Sequence, residues 1–198
     1  VHYDKNKYTV KWGGAFENQK RAYTRLSVII PLTLVGMFIL LYATFGKFRQ
    51  AGLVLSIVPL ALFGGMLALN VRGMTLNVSS AVGFIAMFGL SIQNGIIMVS
   101  QINGLRIKGM ELRKSVIEGA LQRFRPILMT SVTTILGLFP ASLATGIGSD
   151  VQRPLATVIV YGLMFSTLVS MFLLPAFYYL VENNVLNKKK NDEKEYTL

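Results

Sequence analysis

Five apolar runs, near residues 26–45, 52–71, 80–100, 127–145 and 155–181, decide what this chain can fold into. Each is close to the 20 or so residues a helix needs to cross about 30 Å of hydrocarbon. Inside such a slab the backbone finds no water, so a run of this length satisfies its N–H and C=O groups within itself, as a helix. The expected fold class is therefore all-α, a polytopic transmembrane helix bundle of five spans. Pro31, Pro59, Pro140 and Pro175 fall inside or at the ends of these runs and mark expected kinks, which neighbouring helices accommodate.

Composition agrees: of 198 residues, 53% are hydrophobic and 15% charged, which is too apolar for a soluble domain of this size. The net charge of +11 would raise nucleic acid in a soluble protein, but here the basic residues gather between the apolar runs. They read as loops under the positive-inside rule, with membrane lipid as the partner and no nucleic acid. Lys and Arg number six before the first run, two in "GKFRQA", one in "RGMTLN", six in "GLRIKGMELRKSVIEGALQRFRP", one in "GIGSDVQRP" and four in the tail. The sparsely charged loops belong outside, which sends the C-terminus to the cytoplasm.

The first 25 residues then fall outside despite their six basic residues. Long translocated domains escape the rule, so the conflict points to a large extracytoplasmic domain upstream. The opening "VHYDKNKYTVKWGG" is polar, rich in strand formers, and carries neither a signal peptide nor an initiator Met, so a longer native polypeptide is expected. Between the third and fourth runs, Leu112, Val116, Ile117, Ala120, Leu121 and Phe124 recur at helical spacing. They predict an amphipathic helix over about 109–125, lying along the cytoplasmic face. Residues 183–198 are charged and read as a mobile cytoplasmic tail. Ala61/Gly65, Gly64/Ala68, Ser91/Gly95 and Gly162/Ser166 set small residues four apart, a spacing that lets helices approach closely in lipid.

The chemistry is narrowed by what is missing. All nine acids lie outside the apolar runs or at their edges, so the bundle lacks the intramembrane carboxylate that usually carries a proton. There is no cysteine, and the single histidine is His2, which excludes disulfides and thiolate or multi-histidine metal sites. Nine methionines are scattered over every run rather than grouped, as packing residues are. Hydrolase, kinase and dinucleotide motifs are absent, so neither an enzyme nor a bound cofactor is expected. What remains at membrane depth is Ser91, Gln93, Asn94 and Ser100 in the third run, and Thr130, Ser131, Thr133 and Thr134 in the fourth. Hydroxyls can bond to their own helix. Two adjacent amides point about 100° apart and need two sets of partners.

Four segments carry a resemblance: "WGGAFENQKRA", "VGFIAMFGLSIQNGIIMVS", "EGALQRFRPILMTS" and "ATGIGSDVQRPLA". In order and spacing they resemble the C-terminal quarter of the inner-membrane subunit of resistance-nodulation-division efflux pumps, the heavy-metal branch fitting best. The resemblance implies that residues 1–25 end a periplasmic pore subdomain and lead into the first span, and that the five spans are helices eight to twelve of twelve. It further implies a bacterial inner-membrane homotrimer that exchanges protons for substrate alongside a periplasmic adaptor and an outer-membrane channel. Protons would pass between acids on the fourth helix, which lies upstream of this chain, and partners on helices ten and eleven. Gln93 falls where the copper-silver branch carries an ionisable Glu and drug-exporting relatives a Lys; Asn94 matches the polar position beside it, and Thr130 and, at the cytoplasmic mouth, Arg123 match positions of the drug-pump relay, so that these four are the proton-pathway candidates.

Gln93 cannot titrate, so it can only hydrogen-bond a carboxylate supplied from upstream. The missing Glu, with Ile127 where the copper-silver branch carries a Lys, favours export of divalent cations of the cobalt, zinc and cadmium type. The alternatives are an exporter of drugs or lipids on the same fold, and a truncated, noncatalytic membrane scaffold.

Overall fold

Pro59 decides where the second apolar run breaks. Its nitrogen cannot donate to the Leu55 carbonyl, and its ring crowds that same oxygen. The computed structural model, which describes residues 15–195 with side chains at 24 and 26–186, accordingly divides the run into α2 (Phe48–Leu55) and α3 (Ile57–Val71), joined at Ser56. The Ser56 hydroxyl donates to the Leu53 carbonyl at 2.7 Å and helps close the break. Elsewhere proline is absorbed: α1 (Ala15–Phe45) runs through Pro31, α5 (Leu112–Leu143) through Pro126 and Pro140, and α6 (Ser149–Glu195) through Pro154 and Pro175. The remaining element, α4, spans Val78–Ile107. Five helical stretches are long and apolar enough to span a membrane, Leu26–Phe45, Phe48–Val71, Val78–Ile107, Leu112–Leu143 and Ser149–Leu186. The molecule is a five-span transmembrane bundle, without strands among the described residues.

The helices extend beyond the apolar runs, α2 beginning at Phe48 and α4 ending at Ile107, and two segments read as separate from the spans are continuous with them. The amphipathic stretch expected over 109–125 is helical from Leu112 onward but not a separate helix, since α5 carries it directly into the fourth span. Leu112, Ser115, Val116 and Gly119 bury one side of it, whereas Ile117, Leu121 and Phe124 remain exposed, so the docked face is narrower than the hydrophobic pattern suggested. At the other end, α6 continues through the charged tail to Glu195, because nothing between Glu182 and Glu195 is a helix breaker. The segment expected to end a periplasmic subdomain lies outside the described residues up to 14, and 15–25 form the first turns of α1.

The loops are set by local chemistry. At the end of α3 the Met74 N–H reaches the Leu69 carbonyl (2.9 Å) and the Gly73 N–H reaches that of Asn70 (3.0 Å), with Gly73 at φ 62°. This is a Schellman cap, in which only glycine takes the left-handed turn without strain. Asn77 then starts α4 with a reciprocal capping box: its Oδ1 accepts from the Ser80 N–H and its own N–H donates to Ser80 Oγ, both at 2.8 Å.

Helix α6 is the axis of the bundle, with α3, α4 and α5 packed around it and α1 outermost against α2 and α4. Lipid offers helices no hydrophobic incentive to associate, so close backbone approach supplies the packing. A Cβ added at Gly83 would lie 2.9 Å from the Leu155 carbonyl oxygen, and one at Gly64 would lie 2.5 Å from the Phe165 Cβ. The core beneath these contacts holds Phe88, Met87, Ile57, Met98, Ile102 and Tyr178, all nearly or wholly buried.

Candidate functional site

The two adjacent amides of α4 part company, as residues 100° apart on a helix must. Asn94 turns inward and is 7% exposed, whereas Gln93 lies on the outer face. Both still border one cavity of about 260 Å³ between α4 and α5. Leu90 and Ile97 flank the amides from α4, Thr130, Ser131 and Thr134 face them from α5, and Leu163 of α6 closes the floor. Gln93 also borders a second, apolar cavity of about 410 Å³ shared with Met37, Leu40 and Leu41 of α1.

The hydroxyls of this region are already engaged. Thr130 Oγ1 donates back to its own helix, 3.0 Å from the Ile127 carbonyl and 3.2 Å from that of Pro126, and Thr134 Oγ1 donates to the Thr130 carbonyl at 2.9 Å. Ser131 Oγ and Thr167 Oγ1 share a buried 2.8 Å bond between α5 and α6, and Ser166 Oγ donates to Ser91 Oγ at 2.7 Å between α6 and α4. Interhelical bonds of this kind contribute about 0.6 kcal/mol each on average. The two carboxamides, in contrast, make no hydrogen bond to any described residue. At membrane depth they can hold water or embrace a carboxylate, donating through N–H and accepting through C=O, but they cannot themselves gain or lose a proton.

The structure thus gathers Gln93, Asn94 and Thr130 and leaves Arg123 apart. Arg123 lies two helical turns from Thr130, about 10 Å along α5. Its Nε and Nη2 both donate to Gln101 Oε1 (3.1 and 2.7 Å), and Gln101 Nε2 donates to Gln122 Oε1 at 2.6 Å. Among the described residues no three His, Cys, Asp or Glu side chains cluster in a way that could hold a metal ion.

Sequence reasoning passed over a second polar centre. Gln50 of α2, 2% exposed, exchanges two bonds with Asn103 of α4, Nε2 to Oδ1 at 3.0 Å and Nδ2 to Oε1 at 2.8 Å. The Tyr178 hydroxyl of α6 donates to the same Asn103 Oδ1 at 2.7 Å, and one turn on, Arg106 pairs with Glu182 at 2.6 Å. Gln50 and Asn103 looked like loop residues because the hydropathy falls near them. The usable signal was spacing: the three-to-four-residue rhythm of Ala61, Val58 and Val54 extends back to Gln50.

The chain matches the family model described as the AcrB/AcrD/AcrF family over residues 5–182. It is 46% identical over 188 residues to Protein HelA of Legionella pneumophila, covering 94% of this chain and 18% of HelA. To the cobalt-zinc-cadmium resistance protein CzcA of Cupriavidus metallidurans it is 45% identical over 173 residues, 87% of this chain and 16% of CzcA. A crystal structure of a heavy metal efflux pump superposes with a TM-score of 0.77 at 54% identity, over 92% of this chain and 18% of that one. The chain therefore spans less than a fifth of the length of these relatives. A family match across most of the chain, joined to a five-span bundle that superposes on a solved pump, leads to one conclusion: the chain belongs to the AcrB/AcrD/AcrF family, the resistance-nodulation-division efflux pumps, in their heavy-metal branch.

Proposed function

We propose that this chain is a membrane half-bundle of a proton-driven exporter of divalent heavy-metal cations. It would sit in the bacterial inner membrane with its C-terminus in the cytoplasm, in a trimer that works with a periplasmic adaptor and an outer-membrane channel. The observation that carries the reading is the cavity in which Gln93 and Asn94 present unengaged amides beside Thr130. Such groups at membrane depth are costly unless a polar partner meets them. A carboxylate from a neighbouring segment is the partner that proton exchange requires. Similarity to a cobalt-zinc-cadmium resistance protein, and a fully buried Ile127 where the copper-silver branch resembled above carries a Lys, favour divalent cations.

The test is Gln93→Leu in the full-length transporter, read as zinc, cobalt and cadmium tolerance of an expressing strain and as proton-coupled uptake into inverted vesicles across a pH series. An amide N–H donating to a carboxylate favours its charged form and holds its pKa down. Loss of a hydrogen bond worth about 1.5–3 kcal/mol should therefore raise that pKa and move the pH profile upward by about 1–2 units. An unchanged rate and profile would remove Gln93 from the proton path. Tolerance to drugs with no tolerance to metal salts would favour the drug-exporting alternative.

A further inference from the structure

A third depression, a groove, differs in kind from the polar cavity between α4 and α5. It lies between α3 and α6, measures about 340 Å³, and is lined by Gly64, Leu67 and Ala68 on one side and Tyr161, Met164 and Leu168 on the other. Leu67, Met164 and Leu168 are each more than half exposed along it, and nothing polar interrupts the lining until Arg72. From Gly64 to Arg72 the groove runs eight residues of helix, about 12 Å, close to the roughly 15 Å depth of one leaflet's hydrocarbon.

Arg72 closes the end of this groove at the membrane boundary and is held in place. It is the C-cap of α3, next to the Gly73 turn, and its own N–H donates to the Ala68 carbonyl at 3.1 Å, so its backbone is fixed. Its Nη1 donates to the Ser142 carbonyl at 2.8 Å and to Thr157 Oγ1 at 3.0 Å, and its guanidinium stands 6.0 Å from the centre of the Tyr161 ring. These partners are neutral, and among the described residues no carboxylate pairs with it. The charge is positioned but not compensated, and neither Nε nor Nη2 has a hydrogen-bond partner among the described residues.

We propose that this groove is a binding site for an anionic phospholipid, with one acyl chain lying between α3 and α6 and the headgroup phosphate on Arg72. The pairing follows from complementarity: an apolar slot open toward hydrocarbon takes a chain that asks for no hydrogen bonds, and the guanidinium takes the phosphate in a forked, charge-assisted contact. The polar cavity, which an acyl chain could not satisfy, faces a different side of the bundle. Under the orientation proposed above, the lipid belongs to the outer leaflet. The groove would take this lipid whatever the transporter carries.

The test uses the full-length protein with a photoreactive benzoylphenylalanine in place of Met164, reconstituted in vesicles of phosphatidylcholine mixed with phosphatidylglycerol. Irradiation followed by mass spectrometry identifies what is joined to that position. The expected product is a lipid adduct in which phosphatidylglycerol exceeds its mole fraction about fivefold, the factor for one basic residue at an anionic lipid surface. Arg72→Gln should return the ratio to the mole fraction while adducts still form, and Arg72→Lys should keep most of the enrichment. Adducts in which phosphatidylglycerol is not enriched while Arg72 is intact would overturn the proposal, as would adducts mainly to another polypeptide segment, which would make the groove a helix-docking surface.

Discussion

Asn103 is the residue on which three helices converge, since Gln50 of α2 and Tyr178 of α6 both donate to its Oδ1. Interhelical hydrogen bonds in membranes average about 0.6 kcal/mol, so removing the three that meet here with Asn103→Leu should cost about 1–2 kcal/mol. Replacing Gln50 as well should cost little more, because its buried amide no longer stands unpaired. Thermal unfolding of the purified full-length protein measures both, and a Gln50→Leu cost that simply adds to that of Asn103→Leu would show that the bonds do not couple. Residue types at membrane depth were legible in the sequence, and Gln93, Asn94 and Thr130 were found from them. Their pairing was not. Gln50 and Asn103 are 53 positions apart, and only the packing of α2 against α4 makes them neighbours.

Among the elements, α3, α4 and α6 are held together by what their glycines lack. Gly83 faces backbone, the Leu155 carbonyl oxygen, which cannot swing aside as a side chain can. Gly83→Ala should therefore destabilise the bundle by about 1–3 kcal/mol through overpacking. Gly137 of α5 has open space where its Cβ would be. There the same change should stabilise the helix by about 0.5–1 kcal/mol, since alanine has less freedom to lose. Midpoints of thermal unfolding for the two variants of this chain produced by itself should move in opposite directions; stabilisation by both would show that helix propensity outweighs the contact, and destabilisation by both that the space at Gly137 is filled. The small-residue spacings pointed to these interfaces because a four-residue repeat lies on one helix face. Element boundaries were harder to read. Proline broke the second span yet passed unbroken through α1, α5 and α6, and which outcome prevails depends on tertiary partners that a local pattern does not contain.

At the scale of the whole molecule, burial is uneven: the spanning windows of α4 and α6 are 56% and 61% buried, those of α1 and α5 only 11% and 17%. The side built by α1 and α5 is the side onto which Gln93 and Thr130 open, and it carries amides and hydroxyls that hydrocarbon cannot satisfy. Under the function proposed above, the second bundle of the transporter packs on that side. Alternating access needs two bundles moving about a shared site, and residues 80–100 and 127–145 contain no acid that could carry the proton alone. This chain produced by itself should insert as a helical bundle, seen as a strong helical circular dichroism signal in detergent, and yet give its host no added zinc or cobalt tolerance. Supplying the remainder of the transporter as a separate polypeptide should restore tolerance, and Gln93→Leu in this chain should reduce the restored activity. Tolerance conferred by the chain alone would mean that Gln93 and Asn94 complete their site from a second copy of the same bundle, and the requirement for a distinct partner half would fall.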